Sequence, residues 1–365
     1  MNHLYIPRAI IDNGPTSRLS NLGAVWLPLY HLSIMIFTVF NTLYTTGLSS
    51  ILINIFSTAS TAVVIYKAVG GRLGAVASIL YGLNMYTVIH ASSSYMAPLG
   101  SFLAIASLYY FEKHLENKSM KDLTKSSAYA VLATLTRYEA WVTAVLLFTI
   151  LLFYERERRL AIRIAYGITF MLGIALWIAY NYVIFRNPLQ FVYHPSAGAR
   201  GYYGVILGEM LNLLHANYLD IIMVVYVLAG PIFLLLLTAL IIVLENKFNG
   251  LITAIIYASP LIFFLAEGPE LIIVDHPLYF YFTLPFIIVL GFKGLEILLS
   301  KVSVRVFTAI IIVSLMIIFS LQAIHEYYMY NILRAELYKA YPLYTKNRAF
   351  VHAIRESWLK EGDIF

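Results

Sequence analysis

Residues 126–154 read SSAYAVLATLTRYEAWVTAVLLFTILLFY, a long apolar run with Arg137 and Glu139 near its middle. As one helix it would extend about 43 Å at 1.5 Å per residue, with both charges at its centre. As a hairpin of two short helices it would set them at a turn. The flanks decide. Lys113, Lys118, Lys121 and Lys125 precede the run, and Arg156, Arg158, Arg159 and Arg163 follow it. In a bilayer both basic flanks belong on the cytoplasmic side, so the chain must enter and return. Two short helices are expected, with Thr136-Arg137-Tyr138-Glu139 at the turn.

The rest of the chain makes the bilayer the natural setting. Of 365 residues, 61% are hydrophobic and 12% charged, against roughly a quarter charged in soluble domains. A membrane span takes about 20 largely apolar residues. Besides the two arms of the hairpin, such stretches lie at 48–66, 73–92, 97–111, 164–185, 220–244, 250–266, 277–298 and 304–324. The expected fold is all-α, a polytopic transmembrane helical bundle of about ten segments. Residues 1–47 read as an outer loop with small amphipathic helices, 48–324 as the membrane domain, and 325–365 as a polar tail. Lys and Arg crowd the loops at 67–72, 113–125, 155–163, 245–249 and 293–305, and are sparse in the opposite set. The crowded set should be cytoplasmic and both termini outward. No secretory signal is visible, because Arg8, Asp12, Asn13, Pro15 and Arg18 interrupt the first 20 residues.

Cysteine is absent, which excludes disulfides, thiol catalysis and zinc sites built on thiolates. The net charge of +6 is accounted for by loop bias. No basic stripe interleaved with aromatics calls for nucleic acid, and none is expected as a partner. No cofactor is expected. Asp275-His276 invites a metal reading, but no ligand spacing on a helix supports one, and no metal residue is assigned.

The expected outer surface gathers 1–47, the 92–96 turn, the 136–141 turn, 186–219 and 267–277. Arg137 suits a phosphate, because its planar fork donates bidentately; the alternative for Arg137 and Glu139 is an ion pair that stitches the hairpin. His31, after Trp26-Leu27-Pro28-Leu29-Tyr30, could serve a phosphate or a proton transfer, or belong to an interfacial anchor. Asp12 and Asn13 precede Gly14-Pro15, where turn formation competes with catalysis. Asn181, His194, Arg200, Tyr202 and Tyr203 could line a sugar or acceptor pocket, or form an aromatic belt.

Three stretches carry a family resemblance. They are His3-Leu4-Tyr5-Ile6-Pro7-Arg8-Ala9-Ile10 leading to Asp12-Asn13-Gly14 and on to Val25 through His31; Ala133 through Trp141; and Trp177 through Phe191, with Asn181 and Asn187-Pro188. In order and spacing they resemble the GT-C class of polyprenyl-phosphate-sugar-dependent membrane glycosyltransferases, in the branch near protein mannosyltransferases and aminoarabinose transferases. The likeness covers roughly 1–300. It implies a helical membrane fold whose first outer loop lies over the active site. It also implies inverting transfer of a sugar from a polyprenyl-phosphate donor to a lipid, glycan or protein acceptor, on the extracytoplasmic face of the cell membrane. Donor-phosphate contacts would come from Arg137, His31 and Arg8, and the substrate pocket from Trp26, Tyr30, Asn181, His194, Arg200 and Tyr202. Two departures stand out. The family's first helix and acidic base precede the segment matching His3, and Ala97 stands where a second carboxylate is usual. Glu139 and Asp12 remain as candidate catalytic carboxylates. A polypeptide starting at Met1 is therefore expected to have little or no transferase activity alone. A non-catalytic lipid-sugar-binding protein and a lipid or solute transporter are the competing readings. Transporters tend to show paired repeats, and none is visible here.

Overall fold

The computed structural model describes residues 2–12, 20–23, 25–153, 159–193, 250–259 and 276–301. The chain divides into two compact units, Met1–Ile297 and Leu298–Phe365, and the first holds nearly all of the described residues. Those residues are helical and include no strand. The expected spans at 220–244 and 304–324, the tail, and His194, Arg200 and Tyr202 lie outside them.

The N-terminal 47 residues hold short helices, α1 (Asn2–Asp12), a 3-10 turn (Ser20–Leu22), α2 (Pro28–Thr38) and α3 (Asn41–Thr45). Pro28 opens α2, where a missing N–H costs nothing. Gly47, at φ 75°, turns the chain into α4 (Leu48–Val69). The segment expected as one span over 73–92 is two helices, α5 (Gly71–Leu83) and α6 (Met85–Ala91). The break falls at Asn84, which is extended (ψ 132°). A second correction concerns 113–125, read as a charged loop. Helix α7 (Ala97–Asn117) takes up its first part, and Lys118 ends the helix at φ 55°. Ser119 then caps α8 (Met120–Thr134), its side chain accepting from the Asp122 N–H at 3.3 Å. The linking loop is therefore two residues long. The chain continues through α9 (Glu139–Phe153), α10 (Leu160–Phe185), the short α11 (Gln190–Tyr193), α12 (Gly250–Ser259) and α13 (His276–Lys301).

The run 126–154 does break at 135–138, and α10 shows the two arms to be antiparallel. Tyr166 of α10 meets Thr124 of α8 (2.8 Å between hydroxyls), and Gly173 packs on Val131 and Thr134. On the other arm Gly167 packs on Phe148, and Arg163 donates to the Leu152 carbonyl. Thus α8 ascends along α10 and α9 descends along it. A Cβ on Gly167 or Gly173 would overlap the facing arm, so small residues set the helix spacing, as in membrane bundles.

Polar groups join the helices from within. Ser107 of α7 and Ser126 of α8 each donate to the other's carbonyl at 2.9 Å. Asn54 of α4 donates to the carbonyls of His90, Ser93 and Tyr95, at 3.2, 2.6 and 2.9 Å, and so pins the turn before α7. The Tyr81 and Tyr281 hydroxyls meet at 2.6 Å between α5 and α13. Deeper along α7, Glu112 accepts from Lys293 at 2.8 Å and from Tyr257 at 3.0 Å, tying α13 and α12 to it.

Helix α4 has its polar face inside. Ser50, Asn54, Ser57 and Thr61 are buried, whereas Leu52, Ile55, Phe56 and Val63 are exposed. On α10 the exposed residues include Ile168, Leu172, Leu176 and Val183. These two helices are long and apolar enough to cross a membrane, the two among the described residues that are. The remaining apolar helices of note, α2, α5, α9 and α12, are shorter.

Candidate functional site

The tip of the α8–α9 hairpin needs partners, because the last carbonyls of α8 have no helical N–H donors to accept from. They find donors outside the helix: Trp141 Nε1 donates to the Thr134 carbonyl at 2.8 Å, and the Leu29 N–H donates to the Leu135 carbonyl at 3.0 Å. Tyr138 donates to the Val25 carbonyl at 2.6 Å and accepts from Trp177 Nε1 at 3.2 Å. Tyr180 donates to the Gly23 carbonyl at 3.3 Å. The N-terminal segment is thereby laced onto the tip, as a shared site requires.

Arg137 leaves this turn toward α7 and α13. Its Nε donates to Glu139 Oε2 at 3.0 Å, and its Nη2 to Oε1. Its stem crosses Gly100 so closely that a Cβ there would overlap it, and its guanidinium lies 5.9 Å from the centre of the Phe282 ring. The Arg137 side chain is 12% exposed and that of Glu139 3%. Both Glu139 oxygens therefore face the arginine, and the guanidinium is the more accessible member. Glu139 opens α9, where the helix dipole also favours a carboxylate.

His31 is fully buried on α2, and His3 of α1 is half-buried beside it. His3 Nδ1 and His31 Nε2 are 3.0 Å apart, and His31 Nδ1 is 3.2 Å from the Leu27 carbonyl. A carbonyl only accepts, so His31 carries its proton on Nδ1 and presents a bare Nε2. Trp26 and Tyr30 meet the His3 ring edge-on at 4.9 and 6.0 Å. Burial lowers the His31 pKa to about 4, against the raising effect of the Leu27 hydrogen bond. Burial, then the neighbouring His31 and the Arg137 charge, bring His3 down to about 3. Both imidazoles are neutral at pH 7.

The other sequence candidates divide. Trp26 and Tyr30 join the histidine cluster, and Tyr30 is fully buried. Arg8 and Asp12 pair with each other at 2.6 Å, and Arg8 also donates to the Thr38 carbonyl at 3.2 Å. They sit about 7 and 13 Å along α1 from His3, by the helical rise. Asn181 is buried and donates to the Trp177 carbonyl at 3.0 Å. Asn187 shapes its own turn, accepting from the Leu189 N–H at 3.1 Å and donating to Gln190 at 3.2 Å. That turn lays Phe191 flat on Tyr138, with ring centres 5.6 Å apart. Ala97 is buried at the start of α7.

Sequence reading assigned no role to His3, Gly100, Tyr138 or Phe282. His3 lies 28 positions from its partner and Phe282 far from Arg137, so no local spacing signals either. Among the described residues no three His, Asp or Glu side chains converge as a metal site. The arrangement offers one guanidinium, fixed by a buried carboxylate, and two neutral imidazoles under an aromatic wall. No protein-family profile matches the chain, and no curated protein is significantly similar to it in sequence.

Proposed function

We propose that the protein is a multi-pass membrane glycosyltransferase that moves a sugar from a polyprenyl-phosphate donor to a lipid, glycan or protein acceptor on the extracytoplasmic face. The observation that carries this reading is the hairpin tip, where Arg137 stands at the junction of α7, α9 and α13 beneath the N-terminal segment. A donor of this kind keeps its phosphate at headgroup level and its tail in lipid, and a guanidinium at a membrane-embedded turn is a suitable anchor. The inverted polarity of α4 and the apolar outer face of α10 support a bilayer setting, since exposed apolar surface on this scale is costly in water. The GT-C resemblance and a count of about ten spans belong to the same reading. In it Glu139 fixes Arg137, and the leaving phosphate draws on the guanidinium.

A lipid-sugar-binding protein without turnover is the second reading, favoured by one feature: both Glu139 oxygens are already engaged. The two part on a single assay. The chain is reconstituted in nanodiscs with radiolabelled polyprenyl-phosphate mannose, glucose and aminoarabinose, with and without membrane extract as acceptor. Sugar transferred to extract, or released to water, is the result this reading requires, where the family resemblance alone led to the expectation of little or none. Donor retention with neither would select the binding protein. Movement of intact donor between leaflets in vesicles would select a transporter.

A further inference from the structure

The hydrogen-bond chain Leu27–His31–His3 has a fixed polarity. The Leu27 carbonyl requires the proton of His31 on Nδ1. His31 Nε2 is then an acceptor and draws the Nδ1 proton of His3, 3.0 Å away. His3 Nε2 is left with its lone pair on the far side of the ring. His31 has both nitrogens occupied and is fully buried, so it cannot touch a ligand. His3 is half-buried, on the N-terminal segment that the hydrogen bond from the Leu29 N–H to the Leu135 carbonyl ties to the Arg137 turn. Trp26 and Tyr30 hold its ring by edge contacts. This is the layout of a base oriented by a second group.

Resting on the glycosyltransferase reading, we propose that His3 is the general base of the transfer and that His31 is its positioning residue. The acceptor hydroxyl oxygen attacks the anomeric carbon and forms the new C–O bond. The bond from that carbon to the phosphate oxygen breaks, and polyprenyl phosphate leaves with the electron pair beside Arg137. The hydroxyl proton goes to His3 Nε2, whose Nδ1–H stays bonded to His31, and then passes to phosphate or water.

The test uses the full chain in nanodiscs with a polyprenyl-phosphate sugar and water as acceptor. His3→Asn keeps an N–H where Nδ1–H now points and removes the lone pair. It should lower sugar release at saturating donor by about 10²–10⁴-fold and leave donor binding within about twofold of wild type, by the near-equality expected when only the transition state loses a contact. Nitrogen-15 NMR of labelled histidine should find both rings as the Nδ1–H form, and His3→Gln serves if the Asn variant fails to fold. Wild-type release that survives in His3→Asn overturns the base and leaves the glycosyltransferase reading standing. A His3 proton on Nε2 overturns it also. No release by the wild-type chain overturns the glycosyltransferase reading itself.

Discussion

Arg137 and Glu139 are legible in the sequence because ionisable residues inside an apolar run are costly and must be accommodated. Their mutual pairing is equally legible, being two positions apart at a turn. The histidine pair is not, since it forms only when α1 folds back on α2. That pair makes a pH prediction. Both rings have folded pKa values below the ordinary 6.5, at about 3 for His3 and about 4 for His31. The unfolded segment therefore takes up protons first as pH falls. The stabilisation is full above about pH 6.5 and is lost as pH drops through 4 toward 3. The charge of Arg137 bears on His3, and Tyr30 stays neutral because burial raises its pKa. Hydrogen exchange over 2–38, corrected for the intrinsic rate, should show weaker protection at pH 4.5 than at pH 7. In His3→Asn/His31→Gln the difference should shrink; an unchanged difference would assign it to other groups.

At the scale of elements, charge bias placed the hairpin turn within a residue or two, because only a return path keeps both basic flanks on one side. The same reasoning failed for 113–125. Charged residues there read as loop, yet Lys113 and Glu116 pair along a helix at 2.9 Å, and the turn is made by Lys118 and Ser119 alone. It failed again at 73–92, where hydropathy does not register the Asn84 break. Packing gives two predictions. Gly173→Ala forces a methyl onto Thr134 and Val131. It should destabilise the protein by about 1–3 kcal/mol, the usual cost of overpacking, read as a lower thermal midpoint in nanodiscs. An unchanged midpoint would mean that α10 and α8 are farther apart. Lys293→Met strands Glu112, whose side chain is 10% exposed. A loss of about 3–5 kcal/mol is expected, with Glu112→Gln in the same chain recovering much of it. Equal losses in the single and double variants would refute the pairing.

For the whole molecule, composition already indicated apolar helices, and the described residues are helical, with α4 and α10 long and apolar enough to cross a membrane. The face on which the hairpin tip lies follows from charge counting alone. Because the chain has no cysteine, single introduced cysteines report sidedness cleanly. Lys121→Cys, at the basic end of α8, should resist an impermeant maleimide on intact cells, and Leu189→Cys, beyond α10, should react. The reverse pattern would invert the topology and put the Arg137 end in the cytoplasm.

The central claim is that this end holds a lipid-linked phosphate through Arg137. Arg137→Ala is a poor probe, because it strands Glu139. Arg137→Lys keeps the charge and the partner but loses the planar fork. Equilibrium binding of polyprenyl phosphate to wild type and Arg137→Lys in nanodiscs, with inorganic phosphate as control, is the direct measurement. Wild type should bind the lipid, and the folded variant should bind it at least about tenfold more weakly, which corresponds to about 1.4 kcal/mol. Equal affinity in the two proteins, with the variant as stable as wild type, would contradict the claim and leave Arg137 and Glu139 as a stitch in the hairpin.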